Sequence, residues 1–185
     1  YDHAKQVFEQ ILAKRDIPWA KTGLGKVAYY KNDMDRARQL FREVINQNPA
    51  YLEAHDWLAK CYEAAGELEE AQRILVRSTE LSPHSVLRQK NLGELAHKRG
   101  DMETAEKAFR KTIKLGEFSV HKSPVAYLGL AKVCSTRNNP AEALQILKNV
   151  TKEFESPETA LHAKVVEGLV YSEAGDHINA QKVSK

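Results

Sequence analysis

The sequence lacks the features that define membrane proteins, secreted proteins and disulfide-rich scaffolds. No uninterrupted apolar run approaches the roughly 18–20 residues that a membrane-spanning helix needs, and residues 1–6 do not begin a signal peptide. Two cysteines in 185 residues are too few for a disulfide framework. The chain is therefore expected to be a cytoplasmic protein with no membrane association.

The sequence also has little that resembles an active site. Its seven histidines show neither His-x3-His spacing nor a cysteine at metal-ligand spacing, so no metal site and no cofactor are predicted. The glycines at Gly23 and Gly25 fit a helix-packing face rather than a phosphate-binding loop. Cys61 and Cys134 lie in predicted helices, where a small buried thiol is the ordinary role. These absences predict a protein that is not an enzyme.

Charge and composition are those of a folded chain. Apolar residues make up 42 % and charged residues 29 %, and 28 Lys and Arg stand against 25 Asp and Glu, a formal charge of +3. The apolar share is too high for a disordered segment. Nucleic-acid binding is not favoured, because it calls for a denser basic stripe with interleaved aromatic residues.

A repeat of about 34 residues runs through the chain. Small residues recur twelve positions before alanines, and a large apolar residue follows most of the alanines by four positions. Asparagine or glycine marks a turn in each copy, and both residue types tolerate the left-handed conformation that ends a helix. The alanines of the series are Ala4, Ala37, Ala71, Ala105, Ala143 and Ala180, and the turn residues are Asn32, Gly66, Gly100, Asn138 and Gly175.

Between these marks the pattern is helical. Leu68, Ala71 and Leu75 share one face of a helix whose other face is charged. Ser123, Asn139 and Ser156 each precede a proline, as an N-cap precedes a proline in the first turn. Each repeat is therefore predicted to be two helices joined by a tight turn, and such hairpins stack to bury a continuous core.

These residues resemble the tetratricopeptide repeat. Its pattern of Leu-Gly-x2-Tyr followed by Ala-x3-Phe and a later proline is similar to four stretches here, although the consensus tryptophan is absent from every copy. They begin with Leu24-Gly25, Leu58-Ala59, Leu92-Gly93 and Leu130-Ala131. The resemblance implies an all-α, right-handed superhelical solenoid of antiparallel helix hairpins.

The repeat register divides the chain as a single solenoid with four full repeats and a partial one at each end. A lone second helix is expected at 1–15 and a truncated repeat at 161–185, which suggests a fragment of a longer protein. The full repeats are expected at 18–51, 52–85, 86–119 and 124–157.

Members of this family hold a partner peptide or helix in a concave groove lined by the first helix of each repeat. The resemblance places a mixture of tyrosines and alternating charges at the groove positions, which suits a peptide with an apolar anchor and charged flanks. The predicted groove residues are Thr22, Lys26, Tyr29, Tyr30, Asp56, Lys60, Glu63, Lys90, Glu94, His97, Lys98, Leu128 and Lys132.

Other partners receive less support. Members that clamp the carboxylate tail of chaperones need a lysine and an asparagine where this chain has Thr22 and Lys26, so tail binding is not expected. Residues 53–80 carry a net charge of −4 and residues 86–132 a net charge of +5. That asymmetry could pair copies of the chain head to tail, so a homo-oligomer remains open.

Four extra residues lie near 116–122, between the third and fourth repeats. They place Phe118 and Val120 in a loop, where the two side chains either pack against neighbouring helices or face a partner. Packing is the expectation.

The predicted function is a non-catalytic scaffold for protein–protein interaction. The sequence at residues 18–20, 51–59, 81–86 and 119–124 resembles the repeat region of bacterial response regulators, in which a receiver domain precedes the repeats. The resemblance implies the output or adaptor region of a two-component signalling protein. Two alternatives stay open, namely an assembly factor for pili or envelope complexes and the repeat arm of a larger enzyme such as a glycosyltransferase.

Overall fold

The described part of the chain is entirely helical. A computed structural model describes residues 1–119 and 122–184, and within these ranges it contains eleven α-helices and no strand. The helices are α1 (Asp2–Lys14), α2 (Pro18–Tyr30), α3 (Met34–Gln47), α4 (Leu52–Ala64), α5 (Leu68–Leu81), α6 (Val86–Arg99), α7 (Met102–Gly116), α8 (Pro124–Thr136), α9 (Pro140–Glu153), α10 (Pro157–Glu173) and α11 (His177–Val183).

The turns between paired helices depend on residues with positive φ, as the sequence predicts. Asn32 and Asn138 have φ values of 63° and 60°. The three turn glycines, Gly66, Gly100 and Gly175, have φ values of 77°, 88° and 76°. The left-handed conformation lets the chain reverse at once, so each first helix runs antiparallel to the second helix of its pair.

The prolines mark helix beginnings in the predicted way. Pro140 and Pro157 lie in the first turns of α9 and α10, behind the caps Asn139 and Ser156. Asn139 accepts a hydrogen bond from the backbone N–H of Glu142 and donates one to its carboxylate, at 3.3 and 2.7 Å. Capping by Ser156 also starts α10 at Pro157, four residues before the truncated repeat was expected to begin.

Unit 1, Tyr1–Pro83, contains α1 to α5. Its buried core holds Phe41 and Val44, both fully inaccessible to solvent. Phe41 of α3 packs so closely on Gly25 of α2 that an added Cβ atom there would lie 2.6 Å from the ring. Phe8 of α1 packs on Gly23 in the same way, with a corresponding distance of 2.4 Å. Glycine therefore sets how closely these helices approach.

Unit 2, His84–Lys185, contains α6 to α11 and is built on a similar contact. Phe109 of α7 is 1 % exposed and its ring lies between Gly93 of α6 and Gly129 of α8. The core continues through Val150 of α9 and Val166 of α10, which are 0 % and 3 % exposed. One aromatic ring thus joins three helices.

The predicted all-α class of helix hairpins is confirmed for the described residues. In both units each first helix packs on its own second helix, and that second helix packs on the first helix that follows it within the unit. Among the residues that the structure describes, no helix is both long and apolar enough to cross a membrane.

Replacing Gly100 with alanine is expected to lower the free energy of unfolding by about 1 kcal/mol, because an L-residue at φ 88° is strained even where space is open. Asn138→Gly, at a similar turn, relieves strain and should cause no loss. Chemical denaturation of both variants measures the two effects. Equal midpoints for Gly100→Ala and the native chain would contradict the argument.

Candidate functional site

Aromatic rings and lysines gather on one surface of unit 1. Tyr29 and Tyr30 form the last turn of α2, and Trp57 belongs to α4. The ring centroid of Trp57 lies 5.4 Å from that of Tyr29 and 5.8 Å from that of Tyr30, in edge-to-face arrangements. The ammonium groups of Lys26 and Lys60 lie over the Trp57 ring. We call Lys26, Tyr29, Tyr30, Trp57 and Lys60 the aromatic face.

The core of unit 1 holds Trp57 in place. Its ring stacks on the buried ring of Phe41, with centroids 6.3 Å apart and planes 20° apart. Gly23 and Gly129 stand at the equivalent point of other repeats, one residue before the leucine of the motif. A tryptophan there cannot lie between the helices as a glycine does, so part of its ring reaches the surface.

Trp57 is the residue that the sequence prediction missed. The family positions selected its neighbours Asp56 and Lys60 and passed over it. The signal was present, because a bulky aromatic residue replaces glycine at one point of the repeat and lies within reach of two predicted tyrosines.

The two lysines of the aromatic face differ in their charge partners. Lys26 forms an ion pair with Glu53, and its nitrogen lies 5.4 Å from the centre of the Trp57 ring. Lys60 is exposed, with its nitrogen 4.3 Å from the same centre, and has no carboxylate partner within the part of the chain that the structure describes. Lys60 therefore offers its positive charge to the outside.

Two other predicted residues of unit 1 are half-buried. Asp56 accepts a hydrogen bond from the hydroxyl of Ser78, with an oxygen–oxygen distance of 3.0 Å, and so joins α4 to α5. Glu63 lies on the same helix, one residue before its last residue. Both carboxylates have further interactions of their own.

The prediction for Thr22 is wrong. The side chain was expected to line an open groove, but the residue is 1 % exposed. It lies in α2, beside Tyr51, the residue that precedes α4. Its hydroxyl oxygen is buried, so Thr22 is part of the core.

Unit 2 brings its predicted residues together in a more polar set. Lys90 and Glu94 form an ion pair at 3.6 Å along α6. Burial lowers the pKa of His97 and the charge of Lys132 lowers it further, against the opposing effect of Glu173. His97 is half-buried, whereas Lys98 and Lys132 are exposed. Leu128 is partly buried and packs against the core of the unit.

The prediction that Phe118 packs against neighbouring helices is also wrong. The ring is 89 % exposed. α7 ends at Gly116, and the N–H of Ser119 donates to the Gly116 carbonyl at 3.1 Å, so the chain turns with the ring outside. Lys122 is fixed by an ion pair with Glu153 at 2.7 Å. Val120, the other predicted residue of this loop, lies outside the described residues.

Both cysteines are buried, as predicted. Burial raises the pKa of the Cys61 thiol and of the Cys134 thiol to about 11, so both are protonated at neutral pH and neither is a ready nucleophile. Across residues 1–119 and 122–184, no cluster of three or more His, Cys, Asp or Glu side chains could hold a metal ion.

Comparison with protein-family models identifies repeats of a known type. Models described as tetratricopeptide repeat match residues 28–92 and 124–148. The first range includes most of the aromatic face, and the second includes α8 and the start of α9. Such repeats are helical modules with extended binding surfaces. No curated protein matches the sequence at a significant level.

Solved structures show the same fold. MamA protein aligns with a TM-score of 0.73 at 19 % identity, over 99 % of this chain and 89 % of its own. YrrB, described as a TPR protein with an unusual peptide-binding site, aligns with a TM-score of 0.75 at 14 % identity, over 95 % and 88 %. A tetratricopeptide repeat protein from Parabacteroides merdae gives 0.78 at 18 % identity, over 97 % and 69 %. The tetratricopeptide-type solenoid fold is thereby confirmed.

Proposed function

We propose that this protein is a non-catalytic scaffold that binds an exposed segment of a partner protein at the aromatic face of unit 1. The observation that carries the proposal is the contact of Tyr29 and Tyr30 with Trp57, with two lysines over the tryptophan ring. Tyrosine and tryptophan give large contact areas at low entropic cost, and they dominate the binding energy of many interfaces.

The exposure of the cluster supports a role beyond packing. Tyr30 is 55 % exposed although its ring contacts three other aromatic rings. The ring stacked below Trp57, Phe41, is completely buried. The rings of the face are therefore fixed by packing on the core side and exposed on the solvent side, as expected of a preformed binding surface. The peptide-binding site for which YrrB is described is a property of that protein and agrees with this use of the fold.

The predicted residues of unit 2 form a second, more polar surface. Lys90, Glu94, His97, Lys98 and Lys132 carry hydrogen-bonding and charged groups, and Leu128 adds a partly buried apolar side chain. We propose that this set contacts polar parts of a protein partner. Chaperone tails and nucleic acids are not among the proposed partners.

The biological setting that we propose is the output region of a cytoplasmic bacterial response regulator. The resemblance of residues 18–20, 51–59, 81–86 and 119–124 to such proteins supports it. Sequencing the whole coding region tests this setting directly. A receiver domain in the same polypeptide would support it, and a catalytic domain or a lipid-anchored leader would favour one of the two alternatives.

The binding role is tested by affinity capture from bacterial lysate followed by mass spectrometry. The native chain should retain a partner that a variant with alanine at Lys26, Tyr29, Tyr30 and Lys60 loses, because those substitutions remove the anchors and both cations of the face. We expect recovery to fall by about tenfold or more.

A matched control keeps the test specific. Alanine at Lys111, Lys148, Phe118 and Leu161 removes two lysines and two exposed apolar side chains elsewhere, and this variant should retain the partner. Circular dichroism must show that both variants are folded. Equal recovery by all three proteins would show that the aromatic face binds no partner in that lysate.

A further inference from the structure

We propose that the aromatic face selects an extended, proline-containing segment that carries an acidic side chain. The inference rests on the proposed function and gives it a chemical class of ligand. It depends on three features of unit 1, namely a cluster of exposed rings, a pair of phenol groups with no hydrogen-bond partner, and one cation without a carboxylate.

The rings form a compact cluster, because Trp57 contacts Tyr30 at 5.8 Å as well as Tyr29. Tyr1 stacks on Tyr30 at 5.7 Å, Tyr30 contacts Tyr29 at 5.5 Å, and Tyr29 contacts Trp57 at 5.4 Å. Tyr1 is 67 % exposed and Tyr30 is 55 % exposed, so ring faces and edges are open to a ligand. Surfaces lined by aromatic side chains pack against the flat prolyl rings of a polyproline II segment.

The hydrogen-bonding groups of this cluster favour the same ligand. Within the described ranges, the hydroxyls of Tyr29 and Tyr30 have no hydrogen-bond partner. A polyproline II segment makes no internal hydrogen bonds, so its carbonyl oxygens are free to accept from these phenols. A helical ligand uses most of its carbonyls internally. Strand addition needs a sheet edge, and the described part of the chain has no strand.

Charge complementarity supplies the acidic side chain. Lys60 is the exposed cation beside Trp57 and has no carboxylate partner among the described residues. Glu53 is paired with Lys26, and Asp56 accepts from Ser78. A ligand carboxylate that pairs with Lys60 also lies beside the tryptophan ring, which partly shields the pair from water.

Three labelled peptides test the inference by fluorescence polarisation on the full chain. The first is Pro-Pro-Glu-Pro-Pro-Glu-Pro-Pro, the second has Lys for Glu, and the third has Gly and Ser for Pro. We expect the first peptide to bind at least about tenfold more tightly than either of the others. The Lys60→Glu variant should bind the acidic peptide about tenfold more weakly and should now prefer the lysine peptide.

Substitutions of single aromatic residues separate binding at these rings from nonspecific apolar binding. Tyr30→Ala removes an exposed ring and should weaken binding of the acidic proline peptide by about tenfold, whereas Phe118→Ala should not change it. Equal affinity for the proline and the Gly-Ser peptides, no binding of the first peptide, or an unchanged preference in Lys60→Glu would each overturn the inference.

The capture experiment distinguishes this failure from failure of the proposed function. If the native chain retains a lysate protein that the four-alanine variant loses, but the proline peptides do not bind, the scaffold role stands and the ligand class is wrong. If neither experiment shows binding at the face, both proposals are wrong.

Discussion

Replacing Phe109 with alanine is expected to lower the free energy of unfolding by about 3–5 kcal/mol, since a fully buried phenylalanine is lost and a cavity remains. The Phe109 ring is 1 % exposed and lies between Gly93 of α6 and Gly129 of α8. No side chain at either glycine can fill the space. The substitution therefore removes the contact that joins three helices of unit 2.

Phe118→Ala is the matched control for Phe109→Ala. It removes the same side chain nine positions later, but this ring is 89 % exposed and should contribute less than about 0.5 kcal/mol. Urea denaturation followed by far-ultraviolet circular dichroism measures both variants. A loss below about 1 kcal/mol for Phe109→Ala would mean that the ring does not fill this core.

The second large effect is expected at Gly93. An added Cβ atom would lie 2.7 Å from the ring of Phe109, which is buried and has no room to move. Overpacking of this kind costs about 1–3 kcal/mol. The better helix propensity of alanine recovers up to about 1 kcal/mol. We therefore expect Gly93→Ala to destabilise the chain by about 1–2 kcal/mol.

Gly168→Ala tests the same repeat position with the opposite expected sign. Phe109 lies sixteen positions after Gly93, but the residue sixteen positions after Gly168 is the small Ser184. No atom therefore lies within 4 Å of a Cβ added at Gly168. Only the helix propensity acts, so the variant should gain about 0.5–1 kcal/mol. Denaturation midpoints that moved in the same direction for both variants would contradict the role assigned to the aromatic ring.

The candidate site was only partly visible in the sequence. Lys26, Tyr29, Tyr30 and Lys60 were predicted from their place in the repeat, and the structure brings them together around one ring. Trp57, which forms that ring, was missed because it is not one of the groove positions of the family. Its role depends on Phe41 of the preceding repeat, which stacks beneath it.

Two errors have a shared physical origin. Thr22 was expected to be open and is buried, while Phe118 was expected to be buried and is open. The exposure of a side chain is decided by the residues that pack opposite it. Those residues lie on another helix or in a loop. Periodicity within one helix carries no information about them.

The sequence by itself determined the helices, their pairing and the turns between them. These features follow from short-range chemistry: the apolar period of a helix, the caps at Asn139 and Ser156, and the tolerance of Asn32 and Gly100 for positive φ. Each requires only a few neighbouring residues. The helix hairpins can therefore be predicted from short stretches of the sequence.

Only the tertiary structure decided which side chains face outward and which charges stay unpaired. Trp57 reaches the surface because Phe41 occupies the space beneath it. Among the described residues Lys60 has no carboxylate partner, and Asp56 and Glu63 on the same helix have interactions of their own. Both outcomes depend on contacts between helices that are distant in sequence. Packing between repeats, which no local pattern encodes, therefore built the aromatic face.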